Sequence, residues 1–361
     1  GLRRQVTKML APIDVVCVAS WNADLVSQLE RPPIRGETLL AQHFSISPGG
    51  KGRNAAVAAA RQGARVGLLA RIGQDAFGAM GLTLWQREGI DATHVEQSAN
   101  ESSGVAQIWV YADGDNSIAV CPGAGAGLSA AHADAAQPML AQCKVVMASC
   151  EVPLAATARA FALARAGGAT TLLNPAPAMA LPDTLLPQID LLTPNETELR
   201  TVAGVAADTP IDAAAQALLE RGVGAVLVTL GAAGCRLLRS GHAPIQLPGL
   251  TMQVVDTIGA GDTFTGALAA HLAQGATLAT SMRRANAAAA LSVTGTGAIG
   301  GMPPKRRNAR CWPQSRRFLT IHRIEPHVRT QLTAARFGRI PPTRRRTGLI
   351  GRTYLVARHR H

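Results

Sequence analysis

The stretch DTIGAGD at residues 256–262 is the most informative part of this 361-residue sequence. Three small residues, Gly259, Ala260 and Gly261, form a turn before an apolar helical run that begins at about Asp262. The start of a helix offers free backbone N–H groups and a partial positive charge, so a phosphoryl group can approach closely. Asp262 lies where it can take a proton from an attacking hydroxyl. The stretch therefore indicates a phosphoryl-transfer site, with an ordinary helix cap as its alternative.

Val254 and Val255, just before this stretch, are interpreted as the end of a strand that leads into the turn. Along the rest of the chain, short aliphatic runs alternate with Ala-rich helical patterns. The other predicted strands are 14–19, 66–70, 145–148, 171–174, 191–193 and 225–230, and the predicted helices are 54–62, 76–88, 154–166, 196–203, 211–221, 261–273 and 278–294. This alternation predicts an α/β fold in which helices cover both faces of a mostly parallel sheet, a three-layer α/β/α sandwich.

Two segments interrupt the alternation. Residues 24–47 are polar and extended, and residues 105–120 alternate in polarity and are split by ADGDN at 112–116, which is a hairpin signal. Both segments are compatible with a small antiparallel sheet apart from the main one. The sequence therefore suggests a β lid over a cleft, with lid segments at about 22–47 and 103–121.

A second glycine-rich motif, PGGKGRN at residues 48–54, also leads into an Ala-rich helix. Its spacing matches neither the Walker A loop nor the dinucleotide-binding fingerprint. Its glycines permit close backbone approach, and Lys51 and Asn54 can hydrogen-bond a polyhydroxy ligand. An ordinary glycine-rich turn is the alternative.

Taken together, the two motifs resemble the two signatures of the ribokinase (PfkB) family of carbohydrate kinases. Further family-like stretches occur in the family's order across about 12–303: WNAD at 21–24, GQDAFG at 73–78, NPAP at 174–177, TPNETE at 193–198 and TLG at 229–231. The resemblance implies a ribokinase-like domain at 1–303 with a small lid. It also implies ATP-dependent phosphorylation of a primary hydroxyl, with D-ribose as the expected acceptor, and a homodimer formed through the lid.

The resemblance also implies roles for individual residues. Asp262 corresponds to the catalytic base, and Gly259, Ala260 and Gly261 correspond to the anion hole. The positions that correspond to sugar-holding residues are Asn22, Asp24, Gly50, Lys51, Asn54, Glu151 and Asp262. The positions that correspond to the nucleotide pocket are Asn195, Thr229, Gly231, Gly234, Gly261 and Asn286.

Two cations are implied in the same way. Glu198 corresponds to the acid that orders Mg²⁺ and its waters near the phosphates. The implied K⁺ loop comprises Asp256 and Ile258, with carbonyls near Ser292, Gly295, Gly297 and Gly301.

Each assignment has a structural alternative. Asn195 and Glu198 have the spacing of a capping box, which would serve helix entry alone. Glu151 could be a surface acid and Lys51 a solvated charge. Asn22 and Asp24 could be turn residues after the first strand.

The sequence departs from the family pattern at several positions. Trp21 and Arg53 replace smaller residues beside the sugar-holding positions, and either could alter the size or polarity of the pocket. Ala232 and Ala233 remove side-chain donors from the nucleotide loop. These departures keep open a second function, phosphorylation of another sugar or of a nucleoside.

The net charge of +13 is concentrated at the C-terminus. Sixteen of the 36 Lys and Arg residues and one of the 23 acidic residues lie in 304–361, so residues 1–303 carry a net charge of −2. We interpret 304–361 as a disordered tail, either non-native or a polyanion-binding extension. An inactive, basic-tailed nucleic-acid binder is therefore the alternative from a different functional class.

The expected location of the protein is the cytoplasm. The six cysteines form no C-x-x-C pair, which favours small buried thiols in a reducing compartment. No apolar run reaches the length that a membrane-spanning helix needs.

Overall fold

The structure, a computed structural model, describes residues 12–304. Residues 305–361, which contain almost all of the predicted basic tail, lie outside the described residues, as do residues 1–11. The disorder, the non-native origin and the nucleic-acid binding considered for the tail therefore stay predictions.

The described residues form thirteen β-strands and ten α-helices. The strands are β1 Val15–Val18, β2 Asn22–Leu29, β3 His43–Gly49, β4 Val66–Gly73, β5 Asp91–Ser98, β6 Gly104–Tyr111, β7 Asn116–Cys121, β8 Val145–Ser149, β9 Thr170–Asn174, β10 Leu191–Leu192, β11 Val226–Thr229, β12 Cys235–Leu238 and β13 Ile245–Leu247. The helices are α1 Lys51–Arg61, α2 Ala76–Glu88, α3 Ala130–Ala135, α4 Gln137–Gln142, α5 Leu154–Ala166, α6 Glu196–Ala203, α7 Ile211–Glu220, α8 Ala260–Ala273, α9 Leu278–Ser292 and α10 Gly297–Gly300.

The larger sheet has nine strands in the order β13-β12-β11-β10-β9-β8-β1-β4-β5. Its strands pair in parallel except at one edge, where β12 is antiparallel to β11 and β13 is antiparallel to β12. Central strands of such a sheet are buried on both faces, which explains the continuous aliphatic runs in the sequence.

Alternate residues of β1 show how the layers are arranged. Val15 and Cys17 pack into one hydrophobic core with α1, α8 and α9, whereas Val16 and Val18 pack into a second core with α5, α6 and α7. The side chains of a strand point to opposite faces in turn, so these two cores lie on the two sides of the sheet. The predicted α/β/α sandwich is confirmed.

The smaller sheet has four strands in the order β3-β2-β6-β7 and contains both predicted lid segments. Strand β2 is antiparallel to β3, and β6 is antiparallel to β7. Because β2 and β6 pair in parallel, the lid sheet is mixed rather than purely antiparallel.

Most predicted elements agree with the structure, but the strand expected at Val254 and Val255 is wrong. No strand is present there, and both side chains are exposed. The N–H groups of Val255 and Asp256 instead donate to the carbonyl of Val293, just after α9, so this segment is tied to a helix end. Helix α1 also begins three residues earlier than predicted, at Lys51, because Gly50 caps it with a positive φ of 98°.

Candidate active site

The predicted catalytic residues lie in one cleft at the carboxyl ends of the central strands. Ligands of open α/β sheets bind at this edge because the loops that follow the strands converge there. The residues that line the cleft are Lys51, Asn174, Ala176, Thr193, Asn195, Glu198, Thr229, Thr257, Gly259, Ala260, Gly261 and Asp262. The structure thus brings together residues that are more than 200 positions apart in the sequence.

Asp262 is buried in the first turn of α8 and is held by two amides. Asn54 Nδ2 donates to its Oδ2 at 2.8 Å, and Asn174 Nδ2 lies 3.4 Å from its Oδ1. Burial raises the pKa of Asp262 to about 6, although the nearby Lys51 charge and the Asn54 hydrogen bond act in the opposite direction. A carboxylate with this pKa is suited to accept a proton near neutral pH.

The turn before α8 presents backbone rather than side chains to the cleft. Gly259 caps the helix with a left-handed φ of 76°, and an added Cβ there would lie 2.8 Å from the carbonyl oxygen of Ala298. At Gly261 an added Cβ would meet no atom within 4 Å apart from its chain neighbours and the backbone of its own helix. Glycine is therefore required at 259 by the fold, whereas the open space at 261 is free for a ligand.

Glu151 is fixed by the N-terminus of α1. Its Oε2 accepts hydrogen bonds from the backbone N–H of Lys51 at 2.7 Å and from the Ser20 hydroxyl at 2.6 Å. Ser20 Oγ in turn accepts from the N–H of Gly52 at 3.1 Å. Glu151 is therefore a half-buried, ordered group, and its interpretation as a surface acid is wrong.

The lid strand β2 carries Asn22 and Asp24, so their interpretation as turn residues is also wrong. The carboxylate of Asp24 lies directly against Gly49, where an added Cβ would be 2.0 Å from Asp24 Oδ1. Asn22 packs in the same way over Gly104 of β6. Burial raises the pKa of Asp24 to about 6; Arg53 lowers it and Glu151 raises it.

Asn195 and Glu198 form the capping box that was considered as their alternative role. Asn195 N–H donates to Glu198 Oε2, and Glu198 N–H donates to Asn195 Oδ1, both at 2.8 Å. Both residues also line the cleft, so the cap and a ligand-binding role are compatible. Burial raises the pKa of Glu198, while the Asn195 N–H and the Lys51 charge lower it.

Of the remaining candidate nucleotide residues, Thr229 also lines the cleft. Thr229 ends β11 beside Asn195, with which it forms an isolated β-bridge. Gly231 and Gly234 have positive φ values of 55° and 95°, which these turns require of glycine. Asn286 of α9 donates to the carbonyl of Pro248 at 2.9 Å.

The candidate K⁺ loop consists of two segments joined by Asp256. Its Oδ1 accepts from the N–H of Ile258 at 2.9 Å, and its Oδ2 accepts from the N–H of Gly297 at 2.8 Å. The carbonyl of Ser292 lies against Gly301, where an added Cβ would be 1.8 Å from that oxygen. Carbonyl and carboxylate oxygens are the donors that a hard cation prefers, so the residue types fit such an ion.

Two positions that depart from the family pattern have different surroundings. Trp21 is buried in the core, where its Nε1 donates to the carbonyl of Phe77 and its ring meets Trp85 edge to face. The expectation that Trp21 alters the pocket is therefore not supported by its position. Arg53 is also fully buried, but close to the carboxylates of the site.

Sequence reasoning missed Ser20, Asn174, Thr193 and Thr257 as residues of the site. Asn174 and Thr193 each lie at or just after the carboxyl end of a strand, and that position could have identified them. Ser20 also follows the carboxyl end of β1, but its partner Glu151 is 131 positions away, so the contact between the two could not be read from the sequence.

A buried carboxylate beside a small-residue helix N-terminus, in a cleft lined by polar groups, is the arrangement of a phosphotransferase with an alcohol acceptor. The model of the pfkB family of carbohydrate kinases matches residues 12–305. The chain therefore belongs to this family.

Individual relatives agree with this assignment. The chain is 38% identical to the ribokinase of Haemophilus influenzae over 291 residues, which cover 80% of this chain and 95% of the relative. It is 36% identical to the deoxyribokinase of Salmonella typhi, over 81% of this chain and 96% of that enzyme. Among solved structures, Arabidopsis thaliana ribokinase complexed with ribose and ATP superimposes with a TM-score of 0.80 at 32% identity, covering 83% of this chain and 99% of that one.

No helix within residues 12–304 is both long and apolar enough to cross a bilayer.

Proposed function

We propose that this protein transfers the γ-phosphoryl group of ATP to the primary hydroxyl of a pentose, and that D-ribose is the acceptor. The observation that carries the proposal is the position of Asp262, a buried carboxylate in the first turn of α8 and next to Gly261. The proposed base and the backbone N–H groups that would stabilise the charge of the phosphoryl group therefore belong to adjacent residues.

In the proposed reaction, the hydroxyl oxygen of the sugar attacks the γ-phosphorus as the bond to the β,γ-bridging oxygen breaks and ADP leaves. The hydroxyl proton passes to the carboxylate of Asp262. The backbone N–H groups of Gly259, Ala260 and Gly261 stabilise the negative charge on the transferring phosphoryl oxygens. Asn54 hydrogen-bonds Asp262 Oδ2, whereas the Asn174 amide lies 3.4 Å from Oδ1. We therefore assign Oδ1 as the oxygen that accepts the proton.

The sugar is held by residues of the lid and of α1. Asn54 Oδ1 is buried without a hydrogen-bond partner, so it is available to accept from a sugar hydroxyl. Glu151 and Asp24 offer carboxylate oxygens to further hydroxyls, and Asn22, Gly50 and Lys51 complete this part of the site. Several hydrogen-bond acceptors grouped in this way favour a polyhydroxy substrate.

For ATP, the proposed contacts are Asn195, Thr229 and the loop that contains Gly231 and Gly234, with Asn286 beside them. The open space at Gly261 leaves room for the terminal phosphate. Support comes from the Arabidopsis relative, whose structure is described as a complex with ribose and ATP.

We further propose Mg²⁺ and K⁺ as cofactors. Among the described residues no cluster of three or more His, Cys, Asp or Glu side chains could hold a metal ion. Mg²⁺ would be bound mainly by phosphates and water, with Glu198 as the nearby acid. Mg²⁺ would neutralise phosphate charge, and K⁺ would fit the oxygens around Asp256 and Ser292.

A second acceptor, 2-deoxy-D-ribose, is kept as an alternative because one relative is a deoxyribokinase that is 36% identical to this chain. The two sugars differ by one hydroxyl group, so the choice between them depends on the polar groups of the lid and of α1.

We also propose a cytoplasmic homodimer that forms through the lid. Phe44, Ile46 and Trp109 expose apolar surface on one face of the small sheet, and Ile118 and Val120 expose it on the face that carries Asp24. A second copy of the lid would cover such patches.

The cysteines of the described residues are all free thiols, which supports a reducing compartment.

The proposal is tested by a coupled assay of ADP release over a panel of pentoses, hexoses and nucleosides, each with and without K⁺. The expected result is the highest kcat/KM with D-ribose, together with activation by K⁺. A nucleoside as the preferred acceptor, or the absence of turnover with any sugar, would overturn the assignment.

A further inference from the structure

Arg53 is a buried cation that the proposed reaction does not use. Its side chain is 0% exposed, and Nε donates to the carbonyl of Gly49 at 3.3 Å. The two terminal nitrogens, Nη1 and Nη2, are buried with no hydrogen-bond partner among the described residues. A buried guanidinium without partners is costly, so its retention calls for a physical explanation.

Three carboxylates of the sugar site interact electrostatically with this cation. Burial lowers the pKa of Arg53 to about 10, and the opposing influences are, in decreasing order, Asp24, Asp262 and Glu151. The guanidinium is therefore charged at neutral pH. None of these acids is bonded to its terminal nitrogens, so the interaction acts through space across a poorly solvated region, where charge effects extend further than in water.

Asp24 is the carboxylate most dependent on this cation. Gly49 lies between the two, because its carbonyl accepts from Arg53 and its Cα packs against the Asp24 carboxylate. The charged groups that act on Asp24 are Arg53, from α1, and Glu151, from the loop after β8. Its register partners in β3 and β6, Ser47 and Ala106, carry no charge.

We propose that Arg53 is a positioning residue: a fixed, buried counter-charge that keeps Asp24 ionised and able to accept hydrogen bonds from the sugar. The inference rests on the proposed sugar site. A protonated Asp24 would offer one acceptor oxygen fewer to the sugar hydroxyls. Since Glu151 repels an ionised Asp24 and burial also disfavours it, a cation is needed on the other side, and Arg53 supplies it.

The direct test is the titration of Asp24. The side-chain carboxyl carbon is followed by ¹³C NMR as a function of pH in the wild type, Arg53→Met and Arg53→Lys, and the resonance is assigned by its loss in Asp24→Asn. Arg87→Met, at an exposed arginine of α2, is the control. We expect the midpoint to rise by about one pH unit or more in Arg53→Met and to stay near the wild-type value in Arg53→Lys and Arg87→Met. An unchanged midpoint in Arg53→Met would overturn the inference.

The kinetic test uses the same variants. In Arg53→Met the KM for the sugar should rise at pH 7, by about twofold if the Asp24 midpoint moves by one pH unit and about tenfold if it moves by two. It should return toward the wild-type value as the pH is raised, with kcat and the KM for ATP little changed. A merely structural defect would instead persist at every pH, and that result would contradict the proposal.

Two further arms keep the tests decisive. Arg53→Ala takes the place of Arg53→Met if the latter does not fold. If the wild type phosphorylates no sugar, the proposed function fails, but the Asp24 titration still decides whether Arg53 is its counter-charge.

Discussion

Asn54 Nδ2 donates a 2.8 Å hydrogen bond to Asp262 Oδ2, which joins the first turn of α1 to the first turn of α8. The two residues are 208 positions apart, and each belongs to one of the two glycine-rich motifs of the sequence. The bond leaves Asn54 Oδ1 free as a buried acceptor and fixes the carboxylate that we propose as the base. Sugar recognition and base orientation are therefore coupled through one amide group.

Loss of this amide should impair both functions. In Asn54→Ala we expect kcat to fall about ten- to a hundredfold and the KM for the sugar to rise, because a buried acid loses a hydrogen bond and the sugar loses an acceptor. Asn174→Ala is the matched control, since its amide lies 3.4 Å from Asp262 and should matter less. Equal effects of the two variants in the ADP-release assay would contradict the assigned roles.

The pH dependence of turnover should report Asp262. Burial raises its pKa to about 6, and the base is active only when deprotonated. Log kcat should therefore fall with a slope of one below about pH 6 and reach a plateau above it. In Asn54→Ala the pKa should rise further, because a hydrogen bond that lowers it is lost, so the acid limb should move to higher pH. An acid limb at the same pH in both proteins would argue against Asp262 as the titrating group.

Ser20 should act through Glu151. Removal of the hydroxyl in Ser20→Ala frees one side of the Glu151 carboxylate, so the KM for the sugar should increase about tenfold while the KM for ATP stays the same. A double-mutant cycle with Glu151→Gln measures the coupling. Ser20→Ala should add little in the Glu151→Gln background; fully additive effects would mean that Ser20 serves the fold alone.

Gly261 tests the proposed phosphate position. An added Cβ would contact nothing within 4 Å outside its own helix and chain neighbours, so Gly261→Ala should fold. Its melting temperature should not fall, since alanine favours the helix. Its methyl group would project into the space assigned to the phosphoryl group, and kcat/KM for ATP should drop about tenfold or more. Gly125→Ala, at an uncrowded glycine away from the cleft, should keep full activity. Normal kinetics of Gly261→Ala would place the phosphate elsewhere.

Much of the fold could be predicted because its signals are local. The aliphatic runs of β1, β4, β8 and β9 reflect burial on both faces of the sheet, and helices α2, α5 and α6 begin and end as predicted. Strand β5 was missed because it lies at the sheet edge and is largely polar. The strand predicted at Val254 and Val255 is absent. Two adjacent β-branched residues favour a strand, but hydrogen bonds to the carbonyl of Val293 decide the conformation of this segment.

The parts of the site that could be predicted are those marked by a local pattern of glycines and polar residues, as at Gly259–Asp262 and Gly49–Asn54. Contacts between residues far apart in the sequence could not be predicted. The bridge from Ser20 to Glu151 depends on how the loops after β1 and β8 meet, and no residue pattern encodes that approach. The unbonded guanidinium of Arg53 is likewise a property of the packed structure, although the unusual residue type at that position marked it for attention.

The most direct test of the central claim is the comparison of wild type and Asp262→Asn in two assays, ADP release with D-ribose and calorimetric binding of the sugar. The variant keeps the size of the side chain but has no carboxylate to accept the proton. We predict a loss of turnover of about 10²- to 10⁴-fold, with sugar affinity largely retained. Turnover equal to that of the wild type would contradict the proposal that Asp262 is the base.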